Sequence, residues 1–144
     1  IITHPQIISN YEFPFKIDEI FKSFLEETKL TIKLDINVIV DDGSVLSLIF
    51  DGLKDIFTQI EVPLFIPHYK VNRMDYKIPD CYEFALFDDI FIIDPTKCEE
   101  ISSDGLFVVI KENETIKKII LREGKNISFT KLDQFFKEIQ NKAF

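Results

Sequence analysis

The sequence predicts an α+β fold, with helices packed on a mixed sheet. Three patterns predict it. Apolar residues recur at helical spacing in stretches that begin near Ile17, Ser44 and Ser128. They alternate along Thr31–Val40. Two pairs of short apolar runs, Phe84–Phe87 with Ile90–Ile93 and Leu106–Lys111 with Thr115–Arg122, read as hairpins. The chain has 144 residues, which suits one domain of about 100–150 residues, and its 46% apolar content is ample for a core.

Residues 1–16 read as an extended lead-in, broken by Pro5 and Pro14, with one short strand around Ile7-Ile8. The domain proper is expected over residues 17–144. Ile17, Ile20, Phe21, Phe24 and Leu25 lie on one face of a first helix, and Asp18 and Glu19 suit the positive end of its dipole. Thr31–Val40 predicts a half-buried strand, with Ile32, Leu34, Ile36, Val38 and Val40 inward and a wet or interface-facing side opposite. Asp41-Asp42-Gly43 turns the chain, and Ser44 is the expected N-cap of a second helix reaching about Ile60. Its apolar face (Val45, Leu46, Leu48, Ile49, Phe50, Leu53, Ile56, Phe57) is broad enough for a central buried helix. Gly52 inside it is expected to permit close packing on the sheet.

Pro63, Pro67 and Pro79 break the pattern over residues 61–81, where irregular strands and a loop around Asn72–Tyr76 are expected. The Phe84–Ile93 hairpin turns at Asp88-Asp89 and stops at Asp94-Pro95-Thr96, because proline lacks the amide that a ladder needs. The second hairpin turns at Glu112-Asn113-Glu114. The last helix starts near Ser128, with Phe129, Leu132, Phe135, Phe136 and Ile139 on its inner face and Lys131, Lys137 and Lys142 outside.

The net charge of −8 opposes a phosphate backbone and argues against a free-standing, tight nucleic-acid binder. It is compatible with an acidic member of an assembly in which other chains supply the basic path. Cys81 and Cys98 are too few for a disulfide framework and are expected to be reduced thiols. His4 and His68 stand in no metal-ligand pattern, so neither metal nor cofactor is expected. No apolar run reaches membrane-spanning length, no signal peptide is evident, and no P-loop, dinucleotide fingerprint or H-E-x-x-H occurs.

The densest acid cluster is Asp94, Glu99 and Glu100, with Asp88 and Asp89 near. Carboxylates suit a divalent cation, but without EF-hand spacing a turn followed by a helix or loop start rich in acids is the simpler reading. Asp41-Asp42-Gly43 likewise reads as a turn. Lys117, Lys118, Arg122 and Lys125 form the one basic patch of note and are the candidate phosphate contacts, set against a merely solvated strand and loop. Lys117 and Lys118 should point to opposite faces. Arg73 sits alone.

The string Phe84–Glu100 (FALFDDIFIIDPTKCEE) resembles the "strand, turn, strand, D-P-T, x-x-E-E" segment of RNase PH-like proteins, above all the non-catalytic ring subunits of the RNA exosome. Other stretches follow the family in order: Leu34–Gly43 with the helix after it, Val62-Pro63-Leu64, Gly105–Ile110, Thr115–Arg122 and Ser128–Phe144. The resemblance runs from Ile17 to the end and rests on order and spacing. It implies the carboxy-terminal part of the RNase PH fold, with the N-terminal part missing or divergent. Asp94, Pro95, Thr96, Glu99 and Glu100 are then an architectural motif. Active members need an arginine-rich phosphate site and a general-acid aspartate. This chain has two arginines, Arg73 and Arg122, and its hairpin stands where the active members carry their acid.

The resemblance therefore implies a non-enzymatic scaffold subunit of an exosome-type ring in 3′-to-5′ RNA processing and degradation, in nucleus, nucleolus and cytoplasm. Its partners would be other RNase PH-like subunits and, through the assembly, RNA, with no membrane. The wet side of Thr31–Val40 and exposed phenylalanines of the last helix are the expected interface elements. Two alternatives stand beside it: an active phosphorolytic subunit, and an unrelated acidic α+β interaction domain.

Overall fold

The structure is a computed structural model that describes residues 4–59, 61–62, 72–73, 78–124 and 127–141, the two short pairs 61–62 and 72–73 by backbone alone. Ile60, Pro63, Leu64, Pro67, most of the Asn72–Tyr76 loop, Lys125, Lys142 and the helix end at Phe144 lie outside the described residues, as do the side chains of Val62 and Arg73. The chain forms two compact units, one of Ile1–Ile39 with Gly52–Ile78, the other of Val40–Asp51 with Pro79–Phe144.

The first unit opens with β1 (Ile7–Ser9), α1 (Ile17–Ile20), α2 (Lys22–Thr28) and β2 (Ile32–Leu34). The single helix expected from Ile17 is broken at Phe21, whose backbone (φ −103°, ψ 18°) leaves the helical region. The apolar stripe survives the break, and Ile17, Phe21, Phe24 and Leu25 are all buried. Asp18 does more than face a helix dipole: its Oδ1 accepts from the Ile7 amide at 2.7 Å and ties α1 to β1.

The long strand expected over Thr31–Val40 stops at Leu34. Alternation is a local pattern, but a strand lasts only as long as its ladder, and β2 has just the three parallel pairs Ile7↔Ile32, Ile8↔Lys33 and Ser9↔Leu34. Past them the Asn10 side chain brackets Ile36, accepting from its amide at 2.7 Å and donating to its carbonyl at 2.9 Å. Val38 and Val40, expected inward, are exposed, as is Ile39.

Next come α3 (Val45–Gln59), β3 (Glu61–Val62) and β4 (Asn72–Arg73); β3 and β4 pair antiparallel. Only Leu46, Phe50, Leu53 and Phe57 of α3 are buried, at i, i+4, i+7 and i+11, whereas Leu48 and Ile56 are exposed. The helix is one-sided rather than buried all round. Phe57 packs its ring on Phe21 and Phe24, with centroids 6.1 and 4.9 Å away. Gly52 is exposed, and a Cβ there would meet nothing within 4 Å, so close packing does not explain it.

The second unit contains β5 (Asp80–Phe87), β6 (Ile90–Ile93), α4 (Lys97–Ser102), β7 (Gly105–Glu112), β8 (Thr115–Gly124) and α5 (Phe129–Asn141). The four strands form an antiparallel sheet in the order β6-β5-β7-β8. The first hairpin closes as expected, with Phe87 opposite Ile90 across Asp88-Asp89 and the Asp88 amide donating to Asp104 Oδ2 at 2.8 Å. The second turns on Asn113-Glu114 alone. Both have positive φ (48° and 66°), which matches the right-handed twist of the strands, and Glu112 belongs to β7.

Central strand β7 is buried from Gly105 to Lys111. On one face of the sheet, Phe84, Leu86, Phe107 and Val109 form a core with Phe135 and Ile139 of α5. Phe129 and Phe136 are not part of the inner face; they are 84% and 40% exposed. At 3.6 residues per turn, Phe129 and Phe136 lie about 90° and 70° from the centre of the stripe set by Leu132, Phe135 and Ile139, at its margin and not within it. Ser128 starts the helix as expected, its Oγ accepting from the Lys131 amide at 3.3 Å.

Candidate functional site

The motif Asp94-Pro95-Thr96…Glu99-Glu100 lies directly against the turn Asp41–Ser44. Thr96 and Glu99 cap α4 reciprocally: Thr96 Oγ1 accepts from the Glu99 amide at 3.3 Å, and Glu99 Oε2 accepts from the Thr96 amide at 2.7 Å. The rest of the motif fastens the turn. The Lys97 amide donates to the Asp42 carbonyl at 3.0 Å, and the Ser44 amide donates to Glu100 Oε1 at 2.9 Å. Gly43 has φ 92°, and any Cβ there would collide with the backbone of Pro95, Thr96 and Lys97, so both its conformation and its space demand glycine.

Ser44 precedes α3 as the sequence suggests, but its hydroxyl does not cap the helix. Its backbone has φ 52°, and its Oγ donates to the Pro95 carbonyl at 2.9 Å. The capping acceptor comes from elsewhere. Glu83, on the sheet face opposite Phe84 and only 4% exposed, extends Oε2 to the Ser47 amide at 3.1 Å. Its other oxygen, Oε1, accepts from Arg122 Nη1 at 3.0 Å. One buried carboxylate thus joins β5, the start of α3 and β8.

Burial pushes the Glu83 carboxyl above its usual range, against the lowering effect of the Ser47 amide and Arg122; Glu100 pushes in the same direction as burial. At the surface, Lys97 Nζ bridges Asp41 Oδ2 at 2.8 Å and Glu100 Oε2 at 3.5 Å. The hydrogen bond from Lys97 holds Asp41 below the usual carboxylate range, and the same bond raises Lys97.

The chemistry of this arrangement is fastening. Thr96, Glu99 and Glu100 all engage the backbone, and among the described residues no group of three or more His, Cys, Asp or Glu could hold a metal ion. Asp94 is exposed in a left-handed conformation (φ 55°), with its amide on the Glu83 carbonyl at 3.0 Å. Cys81 is buried and Cys98 exposed, and neither is in a disulfide.

Lys117, Lys118 and Arg122 all lie on β8, and Lys125 lies outside the described residues. Lys117 is exposed and 3.7 Å from Glu112, Lys118 is half-buried opposite Ile110, and Arg122 holds Glu83. Glu83, Ser47 and Lys97 escaped the sequence reading. One signal was available for Glu83: it is a lone charge inside the apolar run Cys81–Phe87, and a charge there needs a partner. Its partners lie 36 and 39 residues away, beyond any local pattern.

No protein-family model matches the chain, and no curated protein does either. Among solved structures, it is similar to a chain of an archaeal exosome core, with a TM-score of 0.63 and 16% identity, over 93% of this chain and 64% of that one. It is also similar to a chain of the Archaeoglobus fulgidus exosome with RNA bound to the active site, with a TM-score of 0.59 and 11% identity, over 93% and 66%. The chain thus spans about two thirds of the length of each neighbour. At such identities the likeness establishes the fold: this is the α+β, RNase PH-like fold of exosome core subunits. Among the described residues, no helix is long and apolar enough to cross a membrane.

Proposed function

We propose that the chain is a non-catalytic RNase PH-like subunit of an exosome-type ring. It would serve 3′-to-5′ RNA processing and degradation as a scaffold, beside other RNase PH-like chains. The observation that carries this reading is the commitment of the motif Asp94–Glu100 to architecture. Its polar groups cap α4 and fasten the Asp41–Ser44 turn. A general acid needs a titratable side chain within reach of the leaving group, and a phosphate site needs cations that are not already neutralised. Arg122, one of two arginines in the chain, is paired with a buried carboxylate.

Similarity of fold to exosome core subunits, one of them in an exosome with RNA at its active site, supports assembly with such partners and a path for RNA through the assembly. Lys117 and Lys118 on β8 are the proposed RNA contacts of this chain, and the nucleus, nucleolus and cytoplasm its proposed locations. The exposed apolar side chains Leu48, Ile90, Ile101 and Phe129 are candidates for cover by neighbouring subunits.

The test is a phosphorolysis assay on single-stranded RNA with inorganic phosphate and magnesium, run on the chain alone and co-expressed with an RNase PH-like partner. The expected result is no nucleoside diphosphate release from the chain alone, together with a stable hetero-oligomer on co-expression. Phosphate-dependent release by the chain alone, surviving stringent purification, contradicts the non-catalytic reading. Indifference to every such partner contradicts the ring.

A further inference from the structure

Arg122 and Glu83 form an ion pair unlike that of Lys117 and Glu112. Lys117 and Glu112 are 3.7 Å apart, with side chains 53% and 36% exposed, so water can replace either partner and the pair opens at little cost. Glu83 has no such freedom. Its side chain is 5% exposed, Oε1 takes Arg122 Nη1 at 3.0 Å, and Oε2 is held by the Ser47 amide at 3.1 Å. If Arg122 turned away, Glu83 would be left as an uncompensated charge in the core. The Arg122 side chain is nonetheless one-third exposed, so the pair lies at the boundary with solvent.

We infer that Glu83 masks Arg122: the buried carboxylate occupies the place that a phosphate oxygen would take and withholds this arginine from nucleic acid. A guanidinium is the side chain best matched to phosphate. Paired with a carboxylate at hydrogen-bond distance it presents a dipole instead of a net charge, and an approaching phosphate gains little from it. β8 therefore offers RNA its lysines and not its arginine. The inference rests on the reading of β8 as an RNA-facing element. It assigns Glu83 a second role beside capping α3, that of keeping RNA affinity low within the chain.

The test compares binding of a single-stranded oligoadenylate to the wild-type chain, Glu83→Gln and Glu83→Gln/Arg122→Gln over a range of salt. Glutamine keeps an acceptor for the Ser47 amide and removes the charge. Each phosphate newly neutralised on a single strand steepens the dependence of log K on log salt by about 0.7. Glu83→Gln is expected to bind more tightly than wild type with a slope steeper by that amount, and the double variant to return to the wild-type slope. Equal slopes for wild type and Glu83→Gln overturn the inference. A second measurement uses the wild-type chain alone, so it stands even where the variant fails to fold. Side-chain nitrogen resonances of Arg122 are followed by NMR as oligoadenylate is added. They are expected to stay in place, and a shift that saturates with the oligonucleotide overturns the masking. Both readouts are independent of phosphorolysis and of ring assembly, which test the reading beneath.

Discussion

Phe135→Ala is the substitution that most directly tests how the second unit is held together. The Phe135 ring is fully buried and packs on three others, with centroids 4.1 Å from Phe107, 4.8 Å from Phe91 and 5.7 Å from Phe84. A buried aromatic side chain removes about 150–250 Å² from water. At ~25 cal/mol per Å² the lower figure is worth about 4 kcal/mol. Phenylalanine-to-alanine changes in cores cost about 3–5 kcal/mol, including the cavity. The three ring contacts place Phe135 near the upper end, at about 4–5 kcal/mol. That is a large part of the ~5–15 kcal/mol by which a domain is stable. Phe136→Ala serves as the control. Its ring is 40% exposed and touches Phe135 only at 6.0 Å, so its loss is expected to stay under about 1 kcal/mol. Urea unfolding followed by far-UV circular dichroism gives both values. A Phe135→Ala loss below about 1.5 kcal/mol, or equal losses for the two variants, would refute the assignment of the inner face of α5.

Two further predictions follow from single sites. Gly52→Ala should stabilise the chain by up to about 1 kcal/mol, because Gly52 is an exposed residue inside α3 and nothing lies within 4 Å of the new methyl; a fall in thermal midpoint would mean that the site is packed after all. Glu83→Gln should change how stability varies with pH. Burial raises the Glu83 carboxyl above its ordinary 4.5, so the folded state holds this proton more tightly than the unfolded state. The resulting stabilisation is complete below about 4.5 and is lost as pH rises through the folded value. The stability of Glu83→Gln relative to wild type should therefore increase as pH rises from 4.5, in denaturant titrations at a series of pH values, and parallel profiles would exclude this linkage.

The elements legible in the sequence were those whose pattern and partner lie close together. The Phe84–Ile93 hairpin pairs across two residues, and the second hairpin across Asn113-Glu114, so apolar runs and a polar turn suffice to find them. Ser128 caps α5 within one turn. The candidate site was legible only in part. The string from Asp94 to Glu100 stood out, whereas its attachment to Asp41–Ser44 spans more than 50 residues and leaves no periodic trace.

The α+β fold class and both hairpins were legible in the sequence alone. Each follows from side-chain periodicity and local backbone preference, which act over a few residues. Only the tertiary structure decided how long the strand after Thr31 runs, which phenylalanines of α5 face inward, why Gly43 must be glycine, and that Glu83 joins α3 to Arg122. Those features depend on which distant backbone or side chain arrives to supply a ladder, a covering surface or a counter-charge. Chain topology sets that arrival, and no local window of residues encodes it.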